Sequence, residues 1–170
     1  MAVLEPSGAD EMKILVKTSL VGLAQKIRRD IRNNSPRTES TPHAHWVILE
    51  LERLTGINLE FLGEGAFREV YGDGKVAFKI PKHGGGCHDN LTEYRIAKLL
   101  PAGIVAENYG IVYVLGVPVL AMEQLIRCTR HYDGYSEDLA RLAKYMGVCD
   151  DCQAGFSQHT GKLVLSDYAL

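Results

Sequence analysis

The chain has 170 residues, 46% of them hydrophobic and 24% charged, with a formal net charge of −2. That is enough apolar material for one well-buried core, and it excludes a general nucleic-acid binder and a disordered acidic tail. No apolar run reaches the length of a membrane span and no cationic segment followed by an apolar one opens the chain, so a soluble, cytoplasmic protein without membrane contact is expected.

Residues 11–33 carry Met12, Leu15, Val16, Leu20, Leu23 and Ile27 at helical spacing, opposite Lys13, Lys17, Gln25 and Arg29. This amphipathic helix runs into the basic KIRRDIR segment, read as a solvated helix end. The polar stretch 34–41, NSPRTEST, is a linker. Thr41-Pro42 then predicts an N-cap with proline at the first helical position. Val47, Ile48, Leu51 and Leu54 share one face of that second helix, and Gly56 stands where a left-handed C-terminal glycine belongs. His43 and His45, two residues apart, are surface residues.

From Ile57 the apolar period becomes two, with Ile57, Leu59 and Phe61 forming a strand that leads into Gly63. Residues 68–71 and 75–80 are two more strands, joined through the hairpin signal Gly72-Asp73-Gly74. The stretch PKHGGGC (81–87) is expected to break regular structure, and a helix follows from Asn90 to about Leu100. Residues 111–115 and 117–122 are strands around a Gly116 turn. A last helix is predicted over 136–146, and GKLVLSDYAL closes the chain as a strand ending at Asp167. This order predicts an α+β domain with a mainly antiparallel sheet.

Four cysteines (Cys87, Cys128, Cys149 and Cys152) in a chain of this size do not make a small disulfide scaffold. Cys149-x-x-Cys152 with Cys87-His88 offers zinc-ligand types, but without finger-like spacing reduced thiols are the favoured reading.

The chemistry concentrates in LGEGAFREVYGDGKVAFKI (62–80). Gly63 and Gly65 let the backbone of a strand-turn-strand lie close over a polyphosphate. Phe67 at the tip is expected to shield the site, and Val70 to contact a flat ring. Lys79 is the only charge in the run VAFKI, so burial demands a cleft or a carboxylate partner. Glu93 supplies one, on the apolar face of the helix with Ile96, Ala97 and Leu100. Asn90-x-x-Glu93 also fits a capping box, and the ion pair is preferred over it.

These residues resemble the protein-kinase-like superfamily. Gly63-x-Gly65-x-x-Arg68-x-Val70 is similar to its glycine-rich loop, with arginine in place of the third glycine. VAFK resembles the motif that ends at the phosphate-binding lysine, here Lys79, with Ala77 beside it, and Glu93 resembles the helix-C glutamate. VPVLAMEQL (117–125) looks like the fifth strand and hinge, which implies Met122 as gatekeeper and adenine binding by the backbone from Glu123 to Leu125. The closing strand is similar to the one before the family's Asp-Phe-Gly, which implies Asp167 as a metal ligand. VCDDCQAGF (148–156) takes the place of the catalytic loop, with Asp150 as the catalytic aspartate, or Asp151 in a register one residue shorter. The metal-binding asparagine is then Gly155 or Phe156, so a second metal ligand would have to be Gln153 or Asp151.

The resemblance implies a kinase-like small lobe, with a five-stranded antiparallel sheet and helix C, above a minimal, truncated large lobe. It divides the chain into an N-terminal extension of two helices (1–56), the small lobe and hinge (57–125) and the truncated large lobe (126–170). The extra helices are expected to cover surface that the missing part of the large lobe would bury. The implied ligands are ATP and Mg²⁺. The implied role is a pseudokinase-type module acting on a partner protein, with an active minimal kinase and an α+β interaction protein as alternatives. Compact kinase-like chains of this kind are similar to bacterial effectors and bacteriophage early proteins.

Overall fold

The computed structural model of the chain describes residues 22, 25–27, 29–34, 42–127, 142 and 153–167. Most of the predicted first helix lies outside these residues. Its end at 29–34 is helical, with Ile31 buried. The next helix, α1, spans Ala44–Thr55 and buries Ala44, Val47, Ile48 and Leu51, the i, i+3, i+4, i+7 stripe of one face. Leu54, three residues after the end of that stripe, is exposed, contrary to the sequence reading. The N-cap is His43, whose ring nitrogen accepts from the His45 N–H at 3.3 Å, so Pro42 stands before the cap and not inside the helix. At the other end Gly56 takes φ 69° and its N–H donates to the Glu52 carbonyl, as a left-handed glycine cap does.

Five strands follow: β1 (Glu60–Glu64), β2 (Arg68–Gly72), β3 (Val76–Pro81), β4 (Asn108–Val114) and β5 (Val117–Glu123). They form an antiparallel sheet in the order β1-β2-β3-β5-β4. β1 begins three residues later than predicted. A bulge between Phe61 and Gly63 breaks the simple alternation, so Leu59 and Leu62 are partly buried while Ile57 and Phe61 are exposed. The β2–β3 turn is held by Asp73, whose carboxylate accepts from the N–H groups of Lys75 (2.9 Å) and Val76 (2.8 Å).

Alternation along β3 separates two faces. Phe78 and Ile80 join Val119 and Ala121 of β5 against α1 in one core cluster. Ala77 and Lys79 look the other way, into a cleft. α1 therefore covers the sheet face opposite the cleft, not the side of the sheet that the sequence reading expects it to cover.

The helix α2 runs Gly84–Ala97, starting six residues before the predicted Asn90. PKHGGGC is not a break: His83 caps the helix by accepting from the Gly85 N–H at 3.1 Å, and the glycines form the first turn. Packing explains one of them. A Cβ on Gly86 would lie 2.3 Å from the Phe67 carbonyl oxygen and 3.0 Å from Pro81 Cα, so only glycine lets the helix start press on the strands.

A second antiparallel sheet has the order β6-β7-β8, from β6 (Ile126–Arg127), β7 (Gln153–Phe156) and β8 (Leu163–Asp167). β8 matches the predicted closing strand. β7 forms where the sequence predicts loop, because QAGF has no apolar alternation of its own; its partner β8, across a tight turn, supplies the ladder. The connection from α2 to β4 stitches this sheet to the first: the Leu165 N–H donates to the Ile104 carbonyl at 2.9 Å and the Ala106 N–H to the Leu165 carbonyl at 2.8 Å. Ile96, Leu100, Ile104, Leu142, Leu163 and Leu165 pack there as a second core. Leu142 is the only described residue of the predicted last helix. Among the described residues no helix is long and apolar enough to cross a membrane.

Candidate functional site

The cleft between the two sheets encloses about 710 Å³. Its roof is the β1–β2 arm, with Gly63, Gly65 and Val70. Its inner wall is Ala77 and Lys79 of β3 with Met122, its rim runs from Glu123 to Ile126, and its floor includes Ala154, Gly155 and Ser166. Ala77 and Met122 also belong, with Ala106, Val164 and the partly buried Leu62, Val70 and Leu125, to a small core that adjoins the cleft.

The glycines of the roof answer to no neighbour. A Cβ placed on Gly63 or Gly65 meets nothing within 4 Å. The Gly65 N–H donates to the Arg68 carbonyl at 2.8 Å, which closes the tip of the arm. Phe67 is not the shield the sequence suggests. It is half exposed and rests edge-on against the His83 ring, 5.1 Å between centroids, at the start of α2.

At the back of the cleft Lys79 is 6% exposed. Its ammonium donates to Glu93 Oε1 at 2.6 Å and to the Ser166 carbonyl at 2.6 Å. The predicted ion pair is thus formed, and Glu93 is fully buried. The capping-box alternative fails because Asn90 lies in the middle of α2. There the Asn90 amide donates to the carbonyls of Lys79 (2.7 Å) and Pro118 (2.8 Å), fastening α2 to β3 and β5.

The sequence reading missed the third member of this cluster. Arg68 is 8% exposed and donates to Glu93 Oε2 at 2.6 Å and to Asn90 Oδ1 at 3.2 Å. The available signal is its β-alternation with Val70, which puts both on the cleft face of β2. One carboxylate thereby accepts from two cations drawn from two strands, which offsets the cost of burying all three charges.

The rim is also pinned. The Gln124 N–H donates to the Lys75 carbonyl at 2.8 Å, and its own carbonyl accepts from Gln158 Nε2 at 2.6 Å. Gln124 Oε1 accepts from the Gly74 N–H at 2.9 Å. The Glu123 side chain is turned from the cleft to the β7–β8 turn, where Oε1 accepts from Ser157 Oγ (2.8 Å) and from the N–H groups of Gln158 (2.6 Å) and His159 (3.2 Å). The Glu123 carboxylate is thereby engaged away from the cleft. At the edge of the site, N–H donation from Val76 and Lys75 holds the Asp73 carboxyl below the usual range.

Asp167 ends β8, opposite Gln153. Asp150 and Asp151 lie outside the described residues, as do Cys128, Cys149 and Cys152. Cys87 is buried in the core against the sheet. Gly155 and Phe156, read from the sequence as loop, are strand residues. Gly155 packs under the rim, where a Cβ would lie 2.9 Å from Leu125 Cβ, and Phe156 packs on the second core. No family model, curated protein or solved structure matches this chain.

Proposed function

We propose that the cleft binds ATP and that the chain is a protein-kinase-like protein acting as a pseudokinase-type binding or inhibitory module on a partner protein. The observation that carries this reading is the Lys79–Glu93 pair at 2.6 Å at the back of a cleft roofed by Gly63 and Gly65. A buried lysine held by a helix carboxylate is a fixed cation for the α and β phosphates. A bare backbone over it, with nothing packed within 4 Å of where a Cβ would stand on Gly63 or Gly65, leaves room for phosphate oxygens to approach. Val70, Ala77 and Met122 form an apolar slot suited to a purine, and residues Glu123 to Leu125 line its edge.

Asp167, at the end of the strand that carries Ser166, is the residue that would hold Mg²⁺ through hard carboxylate oxygens. The bound ion supplies charge neutralisation on the phosphates. At the position where the resemblance requires a second metal-binding side chain, the chain offers Gly155 or Phe156, both in β7 and neither able to ligate. That favours binding over turnover. The complete Lys79–Glu93 assembly favours the second reading, a minimal kinase that transfers the γ-phosphate to a hydroxyl.

Thermal unfolding followed against ATP, with and without Mg²⁺, tests the proposal. At a hundredfold excess over Kd the wild-type protein gains about 2.7 kcal/mol, and Lys79→Ala loses most of it. No shift under any condition refutes nucleotide binding and leaves an α+β interaction protein. A shift with phosphate transfer above an Asp167→Ala control selects the minimal kinase.

A further inference from the structure

Arg68 stands where the resembled loop has its third glycine, and the structure gives that exchange a purpose. Its guanidinium leaves β2 and reaches α2, at Glu93 (2.6 Å) and Asn90 (3.2 Å). The same end of the arm is fastened at further points. The Phe67 carbonyl accepts from the Lys82 N–H at 2.9 Å, the Phe67 ring rests on His83, and the backbone of α2 at Gly86 presses on the Phe67 carbonyl. An ion pair joins Glu64 of β1 to Lys82, the residue after β3. The roof of the cleft and the helix that presents Glu93 are therefore one mechanical unit.

We propose that Arg68 is a positioning residue that holds α2 against the sheet from within the chain. By occupying Glu93 Oε2 it leaves Oε1 aimed at Lys79, and for Glu93 to turn away two charge-assisted hydrogen bonds must break together. The lysine is then presented to the cleft without a bound partner or a covalent modification to push the helix in. A glycine at 68 would give a freer roof and a helix held at Glu93 by Lys79 alone. The consequence for ligand binding rests on the nucleotide reading above, whereas the fastening does not.

The test reads Lys79 without any nucleotide. An amine-reactive reagent is applied at pH 9 to wild type, Arg68→Gln and Arg68→Lys, and labelling of Lys79 is quantified by peptide mass spectrometry against the exposed Lys162. The expected result is a rise at Lys79 of roughly tenfold in Arg68→Gln and about threefold in Arg68→Lys, since lysine keeps the charge but not the forked geometry. Equal labelling in wild type and both variants overturns the proposal. So does a rise at Lys79 matched by an equally large acceleration of backbone amide hydrogen exchange in the core strands β3 and β5, because that reports global opening. If Arg68→Gln does not fold, Arg68→Lys carries the test alone: a selective rise supports the clamp and none overturns it. Absence of ATP binding in the wild-type protein refutes the nucleotide reading and leaves the labelling result standing.

Discussion

Asp73 and Glu93 are two carboxylates with different roles. Glu93 is surrounded by cations and carbonyl-anchored side chains, and its value lies in geometry. Asp73 sits at a partly exposed turn, where two backbone N–H groups stabilise its charged form and depress its pKa. A depressed carboxylate contributes stability that is fully present above its unfolded value near 3.9 and is lost as pH falls through the native one. The urea midpoint of the wild-type protein is therefore expected to exceed that of Asp73→Asn at pH 6, and the gap to shrink as pH falls from about 5 to about 2. A gap that stays constant or widens would contradict this account. The presence of Asp73 in a turn is readable from Gly-Asp-Gly. The meeting of Arg68 with Glu93 is not, because 25 residues separate them in the chain.

Among the elements, the β4–β5 hairpin turns on Leu115 and Gly116, with φ of 50° and 77°. Two consecutive left-handed residues make a turn of type I′, which matches the twist of the strands and favours Asn-Gly. Leucine there costs on the order of 1 kcal/mol and, being about half exposed, returns little by burial. Leu115→Asn should raise the unfolding free energy by about 1 kcal/mol with an unchanged denaturant slope. A loss of stability would overturn this account of the turn. The same kind of local chemistry misleads at PKHGGGC. Three glycines signal a break in isolation, yet the close approach of the Phe67 carbonyl to Gly86 makes at least one of them a requirement of the helix.

For the whole molecule, two sheets are joined at the rim and along β8. Glu123 is the polar hub of that joint, since one buried oxygen serves a hydroxyl and two N–H groups of the β7–β8 turn. Glu123→Ala leaves those donors without their acceptor and should cost about 3 kcal/mol. Hydrogen exchange should accelerate more at β7 and β8 than at β3, because the first sheet keeps its own core with α1. A uniform acceleration would mean that the two sheets unfold as one unit.

Much of the fold is legible in the sequence: α1, the strands β2 to β5, the closing β8 and the α+β class, because each rests on a local period or turn. The pairing of Lys79 with Glu93 is also within reach, since each residue is a charge placed on an apolar face. Tertiary structure decided what local pattern cannot encode. It chose which sheet face α1 covers, drew β7 out of a segment without alternation by pairing it with β8, and began α2 six residues early. It also turned Phe67 out of the cleft and brought Arg68 onto Glu93. Each of these depends on a partner distant in the chain, and a single stretch of residues carries the cost of burying a charge without naming the group that will offset it.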